Sequence, residues 1–194
     1  MRRFALVGLS LALAVAGCSK GSTNPGVANG PGVTAAPTAQ EPWPAPVSGV
    51  TARAQSAGLP ILAAEAFAQH IHAHLDVFLN GQAVAVPANI GIDYVSSHIT
   101  PLHTHDSSGV IHIESPDMRT YTLGQFFTEW GVTLSAGCVA TYCAPSTPVV
   151  VQVNGTPATG DPTALIIHLH DEFAVVIGTA PAVVPSSFNF PAGY

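Results

Sequence analysis

The sequence predicts an α+β fold, a mixed β-sheet of hairpins with one short helix packed on it. Three observations carry the prediction. The stretch "HIHAHLDVFLNG", residues 70–81, alternates with period two: Ile71, Ala73, Leu75, Val77 and Leu79 share one face, and His70, His72, His74, Asp76 and Phe78 the other. Asn80-Gly81 at its end is strong hairpin-turn chemistry. "TLGQFFTEWG", residues 122–131, carries helix signals at both ends.

Taken in chain order, the first residues read as a targeting segment. "MRRFALVGLSLALAVAGC" has a positive start and then an apolar run, Phe4 to Gly17, that is too short to span a bilayer and suits a secretory segment. Its ending, "VAGC", is similar to the cleavage box of bacterial lipoproteins. That likeness implies a signal peptide over 1–17, a lipidated Cys18, and localisation at the cell membrane, lipid-anchored and facing the extracytoplasmic side. Residues 18–50 are rich in Gly, Pro, Ala, Ser and Thr, cannot bury enough apolar surface to fold, and read as a flexible tether. A single globular domain is expected over 51–194.

Within that domain, "ILAAEAFA", residues 61–68, consists of good helix formers and predicts a short helix leading into the alternating strand. The Asn-Gly turn feeds a second strand over 82–86. In "PLHTHDSSGVIHIE", residues 101–114, Asp106-Ser107-Ser108-Gly109 forms a four-residue turn between two further strands. Thr122 and Gln125 make a capping box, and Gly131 ends the helix in the left-handed conformation. "VVVQVNG" reads as a strand, and "LIIHLHDEFAVVIG" as one or two more. The order hairpin, helix, strands resembles a β-grasp arrangement, an analogy of fold that carries no function.

Charge excludes one class of function. Arg2, Arg3 and Lys20 lie at the N-terminus, which leaves Arg53 and Arg119 against 11 acidic residues. No basic patch exists for nucleic acid. The expected partners are therefore a membrane, through the lipid anchor, and a metal ion. Cys138 and Cys143, in "CVATYC", remain once Cys18 is lipidated. An exported chain permits a disulfide between them, with a metal-ligand pair as the weaker alternative.

The metal expectation comes from the histidines. In the register set by the four-residue turn, His103 lies opposite His112 and His105 opposite Val110. His103, His105, His112 and Glu114 then project from one face, while Leu102, Ile111 and Ile113 share the core face. Neighbouring imidazoles would repel one another if protonated, and a metal requires them neutral. The candidate ligands are His103, His105, His112 and Glu114, joined by His72 and His74 if their strand lies alongside. Asp106, in the turn, is expected to orient a histidine from behind the ligands. His168 and His170 lie in an apolar run and suit hydrogen-bonded core positions; His98 is left unassigned.

These motifs together, "HAHLDVFLNG", "VPANIGI", "LHTHDSSGVIHIE", "TLGQFFTEWG" and "DEFAVVIG", resemble a family of exported bacterial proteins and lipoproteins marked by LHTHDxxGxIHxE. The resemblance implies one domain in an extracytoplasmic location and supplies neither a reaction nor ligands.

Imidazole and carboxylate ligands disfavour a sulfur-bound Cu(I) site and admit Zn(II), Cu(II), Ni(II) or Fe(II), with zinc and copper foremost. Three functions follow. The first is a metal-binding lipoprotein that sequesters or hands over the ion. The second is a metalloenzyme with three histidines, a metal-bound water, and Glu114 or Asp106 as base. The third is a structural or adhesive surface domain stapled by its metal. Within the expected domain, 51–194, no HExxH, GxSxG or phosphate-binding glycine loop names a reaction.

Overall fold

The computed structural model describes residues 42–194; the expected signal peptide, Cys18 and most of the tether lie outside the described residues. The elements run α1 (Val50–Ala57), β1 (Gln69–Leu79), β2 (Gln82–Val84), β3 (Ile92–Asp93), β4 (His98–Ile99), β5 (Leu102–His103) and β6 (Val110–Ser115). Then come α2 (Leu123–Trp130), β7 (Leu134–Ser135), β8 (Cys138–Val139), β9 (Tyr142–Cys143), β10 (Val149–Val153), β11 (Thr156–Pro157) and β12 (Glu172–Ile177). The main sheet has the order β11-β10-β12-β1-β6-β5, with β2 also on β1. It is mixed: β1 and β12 run parallel at its centre, and the remaining pairs are antiparallel. The α+β class read from the sequence is the class observed.

Alternation in β1 sorts its side chains as expected. Ala73, Leu75 and Val77 join Ile111 and Ile113 of β6, Leu102 of β5, and Phe173, Val175 and Ile177 of β12 in one apolar cluster. α2 covers that face with Leu123, Phe126, Phe127 and Trp130, all essentially without exposed surface. Its ends are capped as the sequence dictates. The Thr122 side chain accepts from the Gln125 amide, the Gln125 side chain accepts from the Thr122 amide, and Gly131 takes φ 75°.

Three local expectations are corrected. Residues 61–68 form no helix: Ala63, Ala64 and Glu65 are exposed and Phe67 is 61% exposed, so this segment has no apolar stripe to bury. Helix propensity without a buried face does not hold a short helix. A helix does precede β1, but it is α1, upstream of Pro60, docked on α2 with Arg53 Nε donating to the Glu129 carbonyl at 2.9 Å. Packing reaches further upstream still, for Trp130 Nε1 donates to the Trp43 carbonyl at 2.9 Å and the two indoles meet edge to face.

"LIIHLHDEFAVVIG" is a strand only from Glu172 onward. Before it, Asp171 turns the chain by accepting from the His168 amide, and His170 adopts φ 63°. The His168 side chain is consequently 71% exposed and His170 also faces solvent, so neither occupies the core.

Cys138 and Cys143 face each other across β8 and β9 and form a disulfide. Among the described residues, no helix is long and apolar enough to cross a membrane.

Candidate metal centre

The opposite face of the sheet is polar at the end where β1, β6 and β5 lie side by side. Registers set the neighbours: His70 pairs with Glu114, and His112 stands between His72 on one side and His103 on the other. Directly opposed residues on adjacent strands lie about 5 Å apart and share a face, so six metal-binding groups converge once His105 follows from β5.

The turn that sets the hairpin register is the one expected. Asp106 Oδ1 accepts from the Ser108 amide at 2.9 Å, and Gly109 takes φ 90°. A Cβ at Gly109 would lie 2.6 Å from the Leu75 carbonyl oxygen and 2.8 Å from His74 Nε2, so only glycine admits β1 at this distance. Asp106 itself is exposed, and its hydrogen bonds with Ser108 hold its carboxyl below the usual range. Among the described residues no hydrogen bond joins Asp106 to a histidine. Its geometry is that of a turn residue.

His103 is fully buried, and Nδ1 donates to the Thr100 carbonyl at 2.9 Å. In the neutral ring that bond leaves the lone pair on Nε2, which lies 3.2 Å from His105 Nε2 and 3.8 Å from Glu114 Oε2. The Thr100 carbonyl thus fixes the orientation of the His103 ring, as a carbonyl commonly does for a metal-binding histidine. His112 Nδ1 lies 3.2 Å from Glu114 Oε1 and 3.2 Å from His72 Nε2. His105 is 41% exposed at its side chain and reaches Glu65 at 3.3 Å, so it connects the buried histidines to solvent.

These separations suit an ion. In a tetrahedral site with bonds near 2.0–2.1 Å, ligand atoms lie about 3.3 Å apart. The donor atoms of His103, His105, His112 and Glu114 all fall within 4.8 Å of one another. Protonation states agree. Burial first, then its histidine neighbours, push His72 down to about 4. His103 also falls to about 4, mainly through burial. Burial opposes ionisation of Glu114, yet the hydrogen bond from His112 and the charge of neighbouring histidines hold its carboxyl below the ordinary value. At neutral pH His72 and His103 are therefore uncharged beside an ionised Glu114, the form that binds a cation.

Two buried atoms here lack hydrogen-bond partners: Glu114 Oε2 and His72 Nδ1. An unpaired buried carboxylate oxygen is costly, and a cation beside it removes the cost.

His74 stands apart from the hairpin histidines. Its Nδ1 donates to Glu172 Oε2 at 2.8 Å and its Nε2 to the Ser108 carbonyl at 2.8 Å. While both nitrogens donate the ring offers no lone pair; once deprotonated it can join Asp76 and Glu172 as a group able to hold an ion. Burial works against the charged ring, but the bond to Glu172 prevails and raises its pKa. Asp76 and Glu172 complete this separate group.

Two site residues escaped the sequence reading. His70 Nε2 lies 3.5 Å from Glu114 Oε1, a position its alternation with His72 already implied. Glu65 had no signal of its own in the sequence.

The chain's last residues lie over the histidine face. Phe188 stacks on His74 at 3.9 Å between centroids and Phe190 on His170 at 4.4 Å, while Tyr194 lies tilted against His72 at 4.5 Å and edge-on to His112 at 5.6 Å.

Comparison with known proteins yields no matching family model, curated protein or solved structure.

Proposed function

We propose that this protein is a membrane-anchored, extracytoplasmic lipoprotein that binds a transition metal ion, zinc or copper, through His103, His105, His112 and Glu114, and sequesters it or hands it over. Membership of the exported family that its motifs resemble belongs to the same proposal. The observation that carries it is the buried, unpartnered Glu114 Oε2, with neutral His103 at 3.8 Å and the other imidazoles spaced as ligands of one ion. Half-exposed His105 gives the ion a way in and out, which suits exchange better than a permanent staple. Export agrees with the disulfide, since such bonds persist in oxidising compartments.

The test is Zn(II) and Cu(II) affinity, measured by chelator competition on protein purified without a histidine tag. His103→Ala and His112→Ala are each expected to weaken binding by a factor of at least about 100, and His98→Ala to leave it unchanged. Wild-type affinity in every hairpin variant would refute the reading. The anchor has its own test: Cys18→Ala is expected to move the protein out of the membrane fraction, and tight retention there would remove the lipid from the proposal.

One observation favours a second reading, a metalloenzyme. A cleft of about 490 Å³ is lined by Glu65, Phe67, Asp93, Tyr94 and His98. Glu65 also reaches His105, and Phe67 packs on His70. A substrate in that cleft would lie beside the ion. Turnover of any ester, amide or phosphoester that is lost with His105→Ala would favour catalysis over carriage.

A further inference from the structure

We infer that the histidine face holds two metal ions bridged by Glu114. The inference deepens the metal-binding reading and rests on it. The donor groups fall into two sets. His103, His105, His112 and Glu114 form one; His70, His72 and Glu114 form the other, and only Glu114 belongs to both.

The arithmetic of coordination requires a use for the surplus. A four-coordinate ion is saturated by the first set. That leaves His70 and His72 beside it, although His72 is only 3% exposed and has a ring nitrogen without a partner. A buried polar atom with no partner is an anomaly in a folded protein, and here two such atoms, His72 Nδ1 and Glu114 Oε2, occur in adjoining sets.

Glu114 is placed to bridge. In the register of β1 against β6 it stands opposite His70, and the β5 histidines lie on its other side. Its Oε2 is 3.8 Å from His103 Nε2, while its Oε1 is 3.5 Å from His70 Nε2 and 3.2 Å from His112 Nδ1, so the carboxylate stands between the two sets. A carboxylate that offers one oxygen to each of two ions holds them about 3.5–4 Å apart, the usual spacing of two-metal sites. Glu65, 3.3 Å from His105, adds a second negative charge to offset the repulsion of the dications. The second set supplies three protein ligands and leaves a position open, so it is the more readily emptied of the two.

Cu(II) is the probe. The full chain, purified in detergent without a histidine tag and stripped with EDTA, is titrated with Cu(II). Bound copper is counted by elemental analysis after desalting, and spins are counted by electron paramagnetic resonance. Two coppers per chain are expected. The first equivalent should show a full mononuclear signal, and the second should bring spin coupling that leaves fewer than two detectable spins. His70→Ala is chosen because that side chain is 40% exposed and its loss spares the fold. It is expected to bind one copper, with an uncoupled signal.

One copper in the wild-type chain would overturn the bridged pair while leaving the metal-binding function standing. No copper would sink both. Two coppers that persist uncoupled in His70→Ala would place the second ion elsewhere, which also overturns the inference.

Discussion

Glu129 sits in α2 with no exposed surface, and among the described residues neither of its carboxylate oxygens has a hydrogen-bond partner. Burial pushes its pKa from 4.5 up to about 7, with the charge of Arg53 pulling the other way. The sign follows from linkage. Between these values the unfolded chain has released its proton while the folded chain still holds it, so stability falls as pH rises from 4.5 through 7. The penalty is fully present above 7. Glu129→Gln is expected to be more stable than wild type at pH 8, by at most about 3 kcal/mol, and to show little gain at pH 5. Urea unfolding at the two pH values measures the difference. An equal gain at both would mean that packing, not ionisation, is responsible. His74 shows the opposite outcome: Glu172 and the Ser108 carbonyl accept hydrogen bonds from its two ring nitrogens, so both nitrogens of that buried ring have partners.

At the scale of elements, α2 depends on a local device. Thr122→Ala removes the side-chain acceptor of the capping box and is expected to cost about 1 kcal/mol, read as a lowered thermal midpoint. Its cap was legible in the sequence because Thr122, Gln125 and Gly131 lie within one short stretch. The hairpin register was legible for the same reason: a four-residue turn and the apolar trio Leu102, Ile111 and Ile113 admit one pairing of His103 with His112. Neighbours distant in the chain were not legible. Alternation in β1 assigned faces correctly but could not say that β6 would flank His72 or that β12 would run parallel beside His74. His74 therefore appeared equivalent to His72, although Glu172 occupies its surroundings. The segment 61–68 misled in another way. Its residues favour helix, yet whether a helix forms depends on a surface to cover, and none is there.

For the whole molecule, the candidate ligands come from β1, β6 and the segment that starts with β5, so the group exists only when the sheet is assembled. An ion that binds the folded chain alone stabilises it by mass action, by about 4 kcal/mol at a free concentration near 1,000 times Kd. For a domain of this size that is a rise of roughly 10 °C in Tm. Zn(II) is expected to raise the melting temperature of the wild-type protein and to leave that of His112→Ala nearly unmoved. An equal rise in both would mean that the ion binds elsewhere. The aromatic residues lying over this face add a matter of time to that of affinity. Tyr194 lies against His72 and His112 and narrows the approach from that side, which leaves half-exposed His105 as the wider way in and out. A shield of this kind slows entry and escape alike, so it would lengthen the dwell of a bound ion while leaving the equilibrium constant where it was.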